Sequence, residues 1–173
     1  MVRSVNNKMP NIAESAFVSE AAYIVGDVEI GENSIVWPRA VLRGDFGKIK
    51  IGQNTAVEEN CVIHSGSTSG VGDVVIGDNV VIGHGAVLNC RRIGNNSLIG
   101  MNSTILHDVE IGNFCIIAAG CLVSQGMRIP DKSFVAGVPG KIKGEASAQQ
   151  LWWTQSNPEF CPQIAKQYKK QGL

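Results

Sequence analysis

The sequence lacks most of what marks specialised classes of protein. Over 173 residues Lys plus Arg equals Asp plus Glu at 15 each, and no run of like charge occurs. The electrostatic footprint of a nucleic-acid or anionic-membrane binder is therefore missing. No stretch approaches the ~20 apolar residues that cross a bilayer. The opening MVRSVNNKMPNI has no apolar core of a signal peptide. These absences predict a cytoplasmic protein with no nucleic-acid and no membrane partner. Cys61, Cys90, Cys115, Cys121 and Cys161 are odd in number and form no CxxC pair, which argues against a disulfide framework and against a cysteine zinc site. The length is that of one ordinary domain, and no second domain is needed.

What is present is a period of six. Val18, Ile24, Ile30, Val36 and Leu42 stand six apart. The register jumps to Ile51, Val57 and Ile63, jumps again to Ile76, Ile82 and Leu88, and slips by one to Ile93. Ile99, Ile105, Ile111, Ile117, Val123, Ile129 and Val135 then follow without interruption. Gly follows the aliphatic residue at Ile30, Ile51, Ile76, Ile82, Ile93, Ile99 and Ile111. A helix would show a period near 3.6 and an ordinary strand a period of two, so a strict six with turn glycines calls for very short strands joined by tight corners. Three such sides close one coil, and stacked coils make an all-β solenoid with an aliphatic ladder as its core. The residue four after each aliphatic one is small at nearly every coil, including Ser34, Ala40, Thr55, Ala86, Ser97 and Ser103. A narrow triangular interior requires this, and it gives Cys61, Cys115 and Cys121 a packing role. The period alone does not set handedness.

After Val135 the repeat is lost in AGVPGKIKG, and Leu151, Trp152, Trp153, Phe160, Ile164 and Tyr168 recur among polar residues. That pattern predicts one or two amphipathic helices packed along the solenoid, with Asn157 as cap and Pro158 in the first turn of the second. The chain is accordingly divided into an N-terminal cap at 1–16, a β-helix at 17–140 and a C-terminal helical segment at 141–173. Flat faces and coil ends need protection, and association through one face would supply it.

Three motifs carry a family resemblance: VLRGDFG at 41–47, VIH ending at His64 and IGHGAVLN ending at Asn89. Together with the closing GVPGK they resemble the γ-class carbonic anhydrase family, in particular its smaller members such as the carnitine-operon and phenylacetate-degradation proteins. The likeness runs from about residue 10 to the C-terminal helix. It implies a left-handed parallel β-helix of hexapeptide repeats with a C-terminal α-helical segment. It also implies a homotrimer with a divalent metal at each subunit interface, zinc first and iron, cobalt or calcium as alternatives. Three histidines hold that metal, two from one subunit and one from its neighbour.

The positions that match the family ligands are His64, His84 and Asn89. The register gives an independent check on two of them. His64 and Asn89 each follow the aliphatic residue of the second corner on successive coils, so they should stack about 5 Å apart. His84 belongs to the preceding side and faces elsewhere, as a ligand given across an interface would. A catalytic zinc takes three protein ligands and an open water position, and lowers the water pKa to about 7. An Asn amide oxygen is a neutral, weak ligand closer to what calcium or magnesium accepts. His107 does not replace it, because Leu106 is the residue that stacks with Asn89. Arg43 and Asp45 match the family's interface pair, which orients water or bicarbonate; a purely structural pair is the equal alternative. Glu58 and Glu59 stand where the family commonly has Gln and Asp. Glu59 could pair with Arg43, and Glu58 could act as a general base or join a metal shell. The loop SGSTSGVG at 65–72 carries no carboxylate or histidine.

Three functions remain open at this level. The first is a metal-dependent lyase that hydrates CO2 reversibly, weakened or lost at Asn89. The second is a coenzyme A-linked thioesterase or acyltransferase acting on acyl-CoA, with His84 or His107 as base. The third is a non-catalytic trimeric scaffold.

Overall fold

A computed structural model describes residues 1–70 and 72–172. Val71, within the 65–72 loop, and Leu173 lie outside the described residues. The chain winds into a left-handed parallel β-solenoid with three faces, and one helix lies along it. On the first face Val18, Val36, Val57, Ile82, Ile99, Ile117 and Val135 pair in unbroken parallel register. On the second, Ile24, Leu42, Ile63, Leu88, Ile105 and Val123 do the same. The third carries Ile12, Ile30, Ile51, Ile76, Ile93, Ile111 and Ile129. The six-residue ladder is thus three ladders, one per corner of the interior, and nearly all its members are buried.

The small residues four positions on are buried too, from Ser34, Ala40 and Thr55 to Ser97, Ser103 and Cys115. They occupy the corners that a larger side chain would overfill. Between the third and first faces the chain turns through a left-handed residue, Asn33, Asn54, Asn79 and Asn96 with φ of 58°, 51°, 56° and 55°. Asn tolerates that region because its short side chain bonds locally. Here the amides also bond upward, Asn54 to Asn79 at 3.2 Å and Asn79 to Asn96 at 3.1 Å. The turn glycines are demanded by close approach: a Cβ on Gly52 would lie 2.6 Å from the Gly77 carbonyl oxygen of the next coil.

All three breaks in the period fall at one corner, between the second and third faces. Leu42 to Ile51, Ile63 to Ile76 and Leu88 to Ile93 each cross it. The solenoid is regular at its other corners and irregular in one vertical strip, which carries Arg43, Asp45, His64 and Asn89.

At the N-terminus, strands Val2–Arg3 and Asn11–Ile12 pair in parallel with Tyr23–Ile30, so the cap begins the coil. The helical segment expected from 141 starts later, because Lys141–Glu145 is a strand antiparallel to Ser133–Ala136. One helix, Ala148–Lys170, then runs through both Pro158 and Pro162. Ser147, not Asn157, is its cap: the Ser147 hydroxyl accepts from the Gln150 N–H, and the Gln150 side chain accepts from the Ser147 N–H. Asn157 is buried instead and donates to the Val80 carbonyl at 3.3 Å. Leu151, Thr154, Asn157, Cys161 and Ala165 form the buried face, with Tyr168 packed on Phe17 and Trp37. Trp152 and Trp153 lie outside the buried face of the helix. They are 49% and 58% exposed and meet each other edge-on. No helix among the described residues is long and apolar enough to cross a membrane.

Candidate functional site

The irregular corner gathers Arg43, Asp45, His64 and Asn89. Arg43 lies in the long strand Val41–Ile51 and pairs in register with His64 on the next coil. The guanidinium Nη1 meets Asp45 Oδ2 at 2.6 Å. Asp45 Oδ1 meets His64 Nε2 at 3.0 Å. Asn89, on the coil above, places Nδ2 3.3 Å from His64 Nδ1 and 3.2 Å from the His64 carbonyl oxygen. Burial would raise the Asp45 carboxyl, but the hydrogen bonds from Arg43 and His64 outweigh it and hold the group below the usual carboxylate range. Asp45 is therefore an acceptor, so His64 donates from Nε2 and its Nδ1 accepts from Asn89.

His84 stands at a different corner, between the first and second faces. Its Nδ1 is 2.7 Å from Glu59 Oε2 and its Nε2 is 3.1 Å from Glu58 Oε2, which also accepts the His84 backbone N–H at 3.0 Å. Burial pushes the Glu58 carboxyl up, partly offset by His84 and reinforced by Glu59. The pairing of Glu59 with Arg43 does not form: Arg43 takes Asp45 and Glu59 takes His84.

Of the three expected ligand positions, one chain therefore brings together His64 and Asn89 and leaves His84 apart. Two neighbours went unnoticed in the sequence. Phe46 packs edge-on against His64 with ring centroids 5.9 Å apart. The buried Ser65 hydroxyl accepts from the Phe46 N–H and donates to the Arg43 carbonyl, each at 3.3 Å. Phe46 lies inside the LRGDF motif and could have been read from it. Ser65 carried no signal beyond its place after His64.

Comparison with known proteins fits this picture. Residues 92–125 match the model of the bacterial transferase hexapeptide (six repeats), and residues 54–90 match the hexapeptide repeat of succinyl-transferase. The carnitine operon protein CaiE of Escherichia coli is 33% identical over 86% of this chain and 74% of its own length. Gamma carbonic anhydrase 2, mitochondrial, of Arabidopsis thaliana is 34% identical over 95% of this chain. The chain belongs to the γ-carbonic anhydrase-like hexapeptide-repeat family. It spans 58% of the length of that plant relative. Among solved structures, a hexapeptide transferase family protein from Anaplasma phagocytophilum superposes with a TM-score of 0.89 at 32% identity, covering 96% of this chain and 97% of its own.

Within one chain the positions that match the family's ligands do not by themselves form a metal site. Both ring nitrogens of His64 already have partners in the chain, as do both of His84. Asn89 turns its donor amide, not an acceptor, toward the ring. Among the described residues no group of three or more His, Cys, Asp or Glu side chains is placed to hold a metal ion. The cysteines offer no substitute: burial pushes Cys61 up to about 11 and Cys90 up to about 12, far from the thiolate a metal takes.

Proposed function

We propose that the chain is a homotrimeric γ-carbonic anhydrase-like protein in which hydration of CO2 is weak or lost. Trimerisation would set His84 of one subunit against His64 and Asn89 of the next. The Asn89 amide on His64 Nδ1 carries this reading, because it fills the ring position beside which a third imidazole would stand in the family. What remains at the corner is a hydrogen-bonded chain. Arg43 steadies Asp45, Asp45 fixes the tautomer of His64, and Asn89 closes it. Such a chain can orient a small oxyanion such as bicarbonate through the guanidinium, but it supplies no hydroxide at neutral pH. The test is CO2 hydration by the native protein and by Asn89→His, with sedimentation to read the trimer. Low activity in the native protein and a clear gain in the variant are expected. Fast hydration in the native protein sinks the reading, and no gain in the variant leaves a scaffold.

A second reading has its own support. His84 Nδ1 held by Glu59 at 2.7 Å is the arrangement of a base steadied by a carboxylate. It favours coenzyme A-linked acyl transfer or thioester hydrolysis, for which a screen of acyl-CoA substrates with native protein and with Glu59→Gln is the measurement. Turnover that falls at least about tenfold in the variant supports it; no turnover of any acyl-CoA removes it.

A further inference from the structure

Beneath the N-terminal end of the helix a cleft of about 480 Å³ opens along the first face of the solenoid. That volume lies in the range of small-molecule sites. Leu98 and Ile116, outward-facing neighbours on successive coils, form its floor, and Ala118 keeps the corner beside them low. Trp153 of the helix forms the opposite wall. Its indole is largely exposed, meets Trp152 edge-on and takes no part in the buried face of the helix. Glu58 and His84 lie at the end toward the earlier coils.

The chemistry of that end is lopsided. Glu58, which lines the cleft, and Glu59, which does not, both contact the single imidazole of His84, and among the described residues no lysine or arginine lines the cleft. Even with the imidazole protonated, two carboxylates face one cation, and the excess charge is negative. A carboxylate or phosphate ligand would meet repulsion there. A protonated amine would relieve the crowding of like charges and gain the attraction of an indole for a cation. An apolar substituent on it would cover the Leu98 and Ile116 floor, with the hydrophobic gain that burial brings.

We infer that this cleft binds a small organic cation, an ammonium group carrying a short alkyl chain or a phenyl ring, with the ammonium at Glu58 and Trp153 and the apolar part on Leu98 and Ile116. The site uses neither His64 nor Asn89 but shares His84 with the proposed subunit interface, so sedimentation of each variant is read beside its calorimetry to separate loss of the cleft from loss of the trimer.

Calorimetric titration of the full chain near neutral pH with hexylamine, hexan-1-ol and hexanoate tests it. Saturable binding of hexylamine at one site per chain is expected, about tenfold weaker binding of the alcohol and none of hexanoate. Ala119→Trp, which fills the exposed rim of the cleft, should weaken hexylamine at least about tenfold while leaving thermal unfolding unchanged. Ala118→Leu serves as a second filling variant. Glu58→Gln should remove the preference for amine over alcohol. Hexanoate binding as tightly as hexylamine, amine binding indifferent to both filling variants, or no saturable amine binding would each overturn the inference.

Discussion

Asn89 donates its side-chain amide to Nδ1 of His64 at 3.3 Å while Asp45 holds Nε2 at 3.0 Å, so the imidazole is tied at both ends. The tie joins three successive coils at the corner where the hexapeptide register breaks. Side-chain hydrogen bonds across coils there do the work that backbone regularity does elsewhere.

Asp45 is the keystone of that tie, and its titration gives a signed prediction. Its folded-state carboxyl lies below the ordinary value of 3.8, so the unfolded chain takes up this proton at higher pH than the folded one. The stabilisation is therefore complete above about pH 4 and is lost as pH falls through the depressed folded value. Asp45→Asn should destabilise the protein by about 1–2 kcal/mol at pH 7. The gap between native and variant should shrink in acid. Urea unfolding at pH 7 and pH 3 checks this; an equal gap at both values would remove the charge from the explanation.

The ladder predicts opposite outcomes at adjacent residues. Ile76 is buried and Val75 points outward on the third face. Ile76→Ala should cost about 2–5 kcal/mol, whereas Val75→Thr should stay within about 0.5 kcal/mol. Equal costs in denaturant titrations would mean that the register is wrong.

Native thiols should be inert. The five cysteines are buried and unpaired by disulfides, and burial pushes Cys90 up to about 12 and both Cys61 and Cys161 up to about 11. Ellman's reagent at pH 8 should react slowly with the folded protein and with all five thiols in denaturant. A fast native thiol would contradict the packing role.

The solenoid could be read almost whole from the sequence because its period is physical: each aliphatic residue from Val18 to Val135 must enter the same narrow core. The same register put His64 beside Asn89, and the contact is there. Other features could not be read this way. Arg43 choosing Asp45 over Glu59, and Glu59 choosing His84, depend on which corner each long side chain leaves. The helix continuing through Pro158 and Pro162 depends on its packing against Phe17, Ile35 and Ala56, which local propensity does not contain. The tryptophans were misplaced because the helix buries Leu151, Thr154, Asn157, Cys161 and Ala165 against the sheet and leaves Trp152 and Trp153 about half exposed.

The most direct test of the central claim is the zinc content of the purified protein beside that of Asn89→His, both dialysed against the same zinc buffer and freed of loose metal. Native chain with well under one zinc per subunit, and a variant approaching one, is the predicted result. One tightly held zinc per subunit in the native chain would contradict it.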